Sequence, residues 1–334
     1  MVPKDNQDLI KIQQAHDRLF RESMQDIDVA RKLSSLTLPS RIQNRFVWET
    51  LEIVKENWLN ENLREYRSDV IYRAKIPGDD QWVYLLFEHK STPDKRIHFQ
   101  LLNYIVKIWQ QHEMQNGAGG LLPQVIPIVI CHSGRPCKSG NSMKDAIAII
   151  EGVEETVPDF HFLMLDLWFF DPEQMEDGSP MEKGTGKLKM LLLALKHSRS
   201  PGILSFLPQI IRISMKVEGK ECDYLRVIIF YLSSVIDGGL MDRFKEIVVR
   251  EHKDGEAIMA TIADKFSEKE RLEKERIERE LKKEIEQKDS VIEQKEELMH
   301  QVIRRMAQKE MSMQSIQEIT GFDSETIGKI IQNT

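Results

Sequence analysis

Apolar residues fall in separate blocks along the chain, and each block has its own period. Between residues 15 and 36, Leu19, Phe20, Ile27, Ala30 and Leu33 recur near helical spacing, which predicts an amphipathic helix. Pro39 then permits a new helix start. From Phe46 to Leu63 the apolar positions Trp48, Leu51, Ile53 and Trp58 fit neither the helical nor the strand period. The runs SDVIYRAKI (68–76) and WVYLLFEHK (82–90) are rich in β-branched and aromatic residues and flank the turn cluster PGDDQ (77–81), so they predict a hairpin. After Thr92 and Pro93, DKRIHFQLLNYIVKIWQQHE predicts a helix whose apolar face carries Ile97, Leu101, Tyr104, Ile105, Ile108 and Trp109. VIPIVICHSG (125–134) and HFLMLDLWFF (161–170) read as further strands. Helix, strand, strand, helix, strand is the order of an α/β or α+β sheet domain with a helical crossover.

Residues 180–250 are mostly helical in pattern, with KLKMLLLALKH and DYLRVIIFYLSSVI as the most apolar stretches. No Gly or Pro occurs between Gly255 and Gly321, and residues 256–311 read as one long charged helix. Ile285, Ile292, Met299 and Met306 repeat every seven residues, with Leu281 and Val302 at a second seam position. Lys288 and Lys295 interrupt that second position, which leaves two readings: a thin coiled coil joining a homodimer, or a solvated single helix. The tail, residues 312–334, reads as two short helices around Thr320–Gly321, the second starting at an N-cap near Asp323–Ser324. It resembles a helix-turn-helix. Ser324, Thr326 and Lys329 are the polar side chains it offers to DNA, and a helical clasp for oligomerisation is the stronger alternative.

Composition narrows the classes. The chain of 334 residues has a formal net charge of −7 and is 30% charged. That balance excludes a strongly basic nucleic-acid coat protein but not an enzyme with a local basic groove. The three cysteines, Cys131, Cys137 and Cys222, are odd in number and form no C-x-x-C, so reduced buried thiols are expected. The N-terminal stretch lacks the apolar core of a signal peptide, and YLRVIIFYLSSVI contains Arg226 and is too short to span a bilayer. A cytoplasmic protein with no membrane partner is the expectation.

The hairpin carries the candidate chemistry. Asp69 opens its first strand, while Glu88 and Lys90 close the second, so an antiparallel pairing brings the three together away from the turn. Glu88 and Lys90 are two residues apart and share a face. Two carboxylates offer hard oxygen ligands to Mg²⁺ (or Mn²⁺), and the main-chain carbonyl of His89 could add a third. Such an ion polarises a phosphodiester oxygen and acidifies a bound water. Lys90 could position or deprotonate that water, or stabilise charge developing on the phosphate. The competing reading is a surface ion pair of little energetic worth. Lys95 and Arg96 open the next helix, and Arg64 and Arg67 precede Asp69; each could hold a DNA phosphate or be a solvated charge.

The arrangement D-(x)n-(D/E)-x-K after two adjacent strands resembles the PD-(D/E)xK nuclease superfamily. HDRLFRE, LREYRSDVIY, VYLLFEHKSTPDKRIHFQLLNYIVKIW, LPQVIPIVICHSG and, in the tail, ITGFDSETI are more narrowly similar to the Rpn family of recombination-promoting nucleases, which also carries the name transposase. The likeness covers residues 16 to about 135 well and the rest loosely. It implies a restriction-endonuclease-like α/β core over 15–175, a mixed sheet flanked by helices. A helical accessory region (180–255), the long helix (256–311) and the tail (312–334) follow as a helical C-terminal extension. It implies a metal-dependent DNA endonuclease in recombination or mobile-element biology. Asp69 and Glu88 would bind metal, and Lys90 would occupy the third catalytic place, where many members of the family have Gln. Gln100 stands where relatives usually show Arg; it reads as a DNA or metal-water contact or, more simply, as a helix-surface glutamine. His16 and Asp17 match the family's HD start and are assigned structural roles, Asp17 as a helix cap; the His89 ring, on the opposite face from Glu88, is assigned one too. The rival is an inactive DNA-binding or scaffold protein that keeps the nuclease fold.

Overall fold

The computed structural model describes residues 6–54, 70–78, 81–117, 119–137, 140–178, 181–198, 200, 202–218 and 223–332. Asp69, Arg64 and Arg67 lie outside the described residues. The chain divides into two compact units, Met1–Ile262 and Ala263–Thr334.

The first unit is an α/β domain. Its helices and strands run α1 (Asn6–Ser23), α2 (Ile27–Thr37), α3 (Ser40–Gln43), β1 (Val47–Ile53), β2 (Val70–Lys75), β3 (Trp82–Lys90), α4 (Ile97–Asn116), β4 (Val125–Cys131) and β5 (Leu163–Asp166). Helices α5 (Lys183–His197), α6 (Ile203–Val217), α7 (Asp223–Val235) and α8 (Met241–Glu251) follow. The single helix expected over 15–36 is broken at Met24–Asp26, because Asp26 leaves helical geometry and its carboxylate caps α2 by accepting from the Asp28 N–H. The undecided stretch after Phe46 supplies β1. The strand expected over 161–170 is short: after Asp166 the chain turns, with the Phe169 and Phe170 N–H groups donating to the Asp166 carbonyl.

The five strands form one mixed sheet in sequence order. β1, β2 and β3 pair antiparallel, and β4 joins β3 in parallel through the α4 crossover, with β5 parallel beyond it. β3 sits at the centre, and Val83 to His89 are all buried, as expected of a strand covered on both faces. Tyr84 and Leu86 pack with Ile97, Leu101, Tyr104 and Ile108 of α4. On the opposite face the β3 residue His89 stacks on Phe20 of α1, and the Tyr72 hydroxyl donates to the Met24 carbonyl. This two-sided burial fixes the tip of β3, where Glu88 and Lys90 face α4 and His89 faces α1.

The second unit contains the end of α9 (Gly255–Gln308), then α10 (Met313–Thr320) and α11 (Ser324–Gln332). Gly321 ends α10 in the left-handed region at φ 75°. Ile303, Ile316, Ile327 and Ile330 form a small buried cluster. No helix among the described residues is long and apolar enough to cross a membrane.

Candidate active site

Glu88 is fully buried at the tip of β3, and the Lys90 side chain is only 18% exposed, so they are not a surface pair. The Lys90 ammonium lies 2.9 Å from Glu88 Oε1 and 2.9 Å from Asp94 Oδ2. It also donates to Gln100 Oε1 at 2.6 Å. Three acceptors match the three protons of an ammonium, so Lys90 is saturated and held in place. Gln100 Nε2 in turn donates to Glu88 Oε1 at 2.8 Å and to the Tyr104 hydroxyl at 3.2 Å. Gln100 therefore orients its amide between a cation and an anion. It is part of this cluster rather than a glutamine on the free helix surface.

One carboxylate oxygen is treated differently from the other. Glu88 Oε1 takes both hydrogen bonds, while Oε2 is buried with no protein partner. A buried acceptor left in that state is costly unless another group uses it. Burial pushes the Glu88 carboxyl up to about 6, against the pull of Lys90 and Gln100; Asp17 adds a smaller push in the same direction. Burial disfavours the Lys90 ammonium, but Glu88 and Asp94 outweigh it and hold the group above its ordinary value. Asp94 is held low: the Lys90 and Arg96 N–H bonds outweigh its partial burial.

The back of the strand carries a second polar chain. Asp17 lies well inside α1, about three turns past its first residue Asn6, and caps nothing, which corrects the capping role expected for it: only the first turn of a helix leaves N–H groups free for a side chain to accept from. Its carboxylate accepts from His89 Nδ1 at 3.1 Å, and His89 Nε2 lies 2.9 Å from His132 Nδ1. His16 Nδ1 lies 2.7 Å from the Tyr231 hydroxyl, so the expected structural roles of His16 and the His89 ring fit their burial. Lys90 borders two hollows. One, of about 390 Å³, is walled by Val129, Cys131 and Met164. The other, of about 200 Å³, is polar and lined by Asp17 and His89. Lys95 and Arg96 are exposed just before α4, and Lys95 borders both hollows.

Three neighbours of Lys90 and Glu88 escape sequence reasoning: Asp94, Tyr104 and the placement of Asp17. Asp94 had a faint signal, since Thr92–Pro93 turns the chain back. The cysteines also depart from expectation. Cys131 and Cys137 are joined as a disulfide, with Cα atoms 6.6 Å apart, because the segment after β4 folds back until Cys137 lies against the strand end. Cys131, Cys137 and Asp166 are the one group of three metal-ligating side chains drawn together among the described residues.

Residues 14–223 match a family model described as "Putative transposase, YhgA-like". Recombination-promoting nuclease RpnD of Escherichia coli O157:H7 is 28% identical over 120 residues, 36% of this chain and 46% of that protein. Recombination-promoting nuclease RpnA of Escherichia coli K12 is 31% identical over 117 residues, 35% of this chain and 39% of that protein. In both matches the chain spans less than half of the relative's length. The inactive recombination-promoting nuclease-like protein RpnE of the same strain is 24% identical over 254 residues, 75% of this chain and 81% of that protein. No solved structure matches the chain. With one family model covering well over half of it, the chain belongs to the YhgA-like transposase family, among relatives of the recombination-promoting nuclease type.

Proposed function

We propose that the chain is a Mg²⁺- (or Mn²⁺-) dependent endodeoxyribonuclease of the PD-(D/E)xK type, acting in recombination or on mobile DNA. The observation that carries this reading is the buried, unpartnered Oε2 of Glu88 beside a saturated Lys90. A hard oxygen with no other partner is what a divalent ion requires. Glu88 Oε2, Asp69 and the main-chain carbonyl of His89 would hold the ion. When bound, it supplies Lewis-acid polarisation of a phosphodiester oxygen and a more acidic water.

The chain's own residues divide the remaining work. Lys90 has a raised pKa and three acceptors, so at neutral pH it serves as a fixed cation facing the phosphate rather than as a proton acceptor. Asp94 is 30% exposed where Glu88 is fully buried, so of the two carboxylates on Lys90 it is the one a phosphate oxygen can replace. Gln100 keeps Glu88 Oε1 occupied. Lys95 and Arg96, with Arg64 and Arg67, would hold neighbouring phosphates. In α9, Ile285 and Ile292 are exposed at heptad spacing, and a second copy of the helix would cover them.

Plasmid cleavage tests the reading. Wild type should nick supercoiled DNA only with Mg²⁺ or Mn²⁺, and Asp69→Ala, Glu88→Ala and Lys90→Ala should each lose that activity. No metal-dependent nicking by wild type, or equal cleavage by Asp69→Ala, would reject it. A second reading, a DNA-binding scaffold without catalysis, draws on the likeness to the inactive RpnE. It predicts DNA binding unaffected by Glu88→Ala and no cleavage by any form.

A further inference from the structure

Cys131 ends β4 directly opposite Lys90 in the parallel register, so the two side chains share a sheet face. The His132 N–H donates to the Lys90 carbonyl at 3.0 Å, tying the start of the 132–137 segment to the tip of β3. The segment then folds back until Cys137 meets Cys131. Lys90, Lys95, Arg135, Cys131 and Cys137 all border the larger hollow. Apart from the bridge, Cys137 is held by its N–H donating to Asp166 Oδ2 at 2.8 Å and by its sulfur 3.4 Å from Ser133 Oγ. Arg135 is exposed, and its carbonyl accepts from the Ser133 hydroxyl within the same short segment.

We propose that Cys131 and Cys137 are a reversible oxidation site, and that their disulfide holds Arg135 against the pocket as a phosphate contact beside Lys90 and Lys95. The bridge spans a Cα separation of 6.6 Å, within reach of a disulfide. Cys137 is the less buried partner and meets the oxidant first. With hydrogen peroxide the Cys137 thiolate attacks one oxygen and breaks the O–O bond. Sulfenic acid forms, and hydroxide leaves and takes up the thiol's proton as water. The Cys131 thiol then attacks the sulfenic sulfur, the S–S bond forms and a second water departs. Two thiols and one peroxide give one disulfide and two waters. A dithiol reductant reverses the change by thiol–disulfide exchange. After reduction the Asp166 contact still holds Cys137, so the segment loosens without unfolding and Arg135 is no longer fixed over the hollow.

The DNA half of this inference rests on the nuclease reading; the bridge does not. Full-length protein is treated with peroxide or with dithiothreitol, quenched in acid, denatured, alkylated and mapped by mass spectrometry. Of the three cysteines, Cys222 alone should be alkylated after oxidation and all three after reduction. Three free thiols in the oxidised sample would overturn the proposal. So would stoichiometric zinc released from Cys131, Cys137 and Asp166. Duplex affinity is then measured by fluorescence polarisation in EDTA, where no cleavage occurs. Reduction should weaken wild-type binding about tenfold, the size of one lost charge-assisted contact. Cys137→Ser should bind like reduced wild type in both conditions, and Arg135→Ala should lose the difference between them. Equal binding by oxidised and reduced wild type would overturn the gating. Binding by neither form would remove both the gating and the DNA reading of the pocket, and leave the bridge to the mapping alone.

Discussion

Glu88 with Lys90 and Arg271 with Glu268 are both carboxylate–cation pairs at hydrogen-bond distance, 2.9 Å and 2.7 Å respectively. The first pair lies at the centre of a sheet with Glu88 fully buried; the second lies on α9 with both side chains more than half exposed. Burial pushes the Glu88 carboxyl up to about 6, whereas Glu268 is held low by its hydrogen bond from Arg271. Contact distance therefore does not separate a buried pair from a solvated one. What separates them is the withdrawal of water and the presence of an oxygen that no protein group uses.

The largest expected effect follows from that oxygen. Glu88→Gln preserves the shape of the side chain but removes the charge, and plasmid nicking should fall to background. Lys90→Ala should cost about 10²–10³-fold, the usual loss for one pre-aligned charge at a developing anion. An equal rate for both variants and wild type would place the chemistry elsewhere. On α9 the corresponding test concerns assembly. If a second copy covers the heptad positions, the double variant Ile285→Lys, Ile292→Lys should sediment as a monomer where wild type sediments as a dimer. A monomeric wild type would leave the helix solvated.

The comparison also predicts a pH dependence. The folded carboxyl of Glu88 titrates near 6 against an ordinary 4.5, so the native state binds more protons than the unfolded chain between these values. Its stabilising share is full below about 4.5 and is lost as pH rises through 6. Relative to metal-free Glu88→Gln, which does not titrate, metal-free wild type should lose about 2 kcal/mol between pH 4 and 7 by urea unfolding. A constant difference across that range would mean that water reaches the carboxyl.

His197 has the opposite sign. Its ring stacks on Phe206 at 3.6 Å, and burial, with Lys196 adding to it, pushes the imidazole down to about 4. The unfolded chain binds the extra proton, so stability should start to fall as pH drops below 6.5 and go on falling towards 4. Because the ring is only half-buried, solvent screening reduces the effect to about 1 kcal/mol. His197→Gln should remove that slope from the urea midpoints and leave the Glu88 slope in place.

Why the tip of β3 was legible in the sequence, and its surroundings were not, follows from how each is built. Val83 to Phe87 form a continuous apolar run, which a central strand requires, and the i, i+2 spacing alone puts Glu88 and Lys90 on one face. Gln100 reaches Glu88 only because α4 lies across the sheet at one particular rotation, and no local pattern encodes that rotation. Asp17 meets His89 across 72 residues, so its role is set by tertiary packing. The break between α1 and α2 was hidden because the apolar spacing continues through it; Asp26, a good capping residue, was the available signal. The cysteine bridge depends on a backward fold of the 132–137 segment that a C-x5-C spacing does not specify.

The smallest expected effect is the sharpest check on the comparison. Arg271 contacts both Glu268 and Glu275 on neighbouring turns of α9, and its guanidinium is 59% exposed. In water the attraction is weak, salt screens it, and fixing three long side chains costs rotamer entropy. Arg271→Ala should therefore leave the thermal midpoint unchanged at both low and high salt. Lys288→Ala, which removes the exposed 2.8 Å pair with Glu284, should do the same. A clear drop for either, largest at low salt, would show that these charges act together as a network or are covered by another chain. Exposure in the single chain would then no longer distinguish them from Glu88 and Lys90.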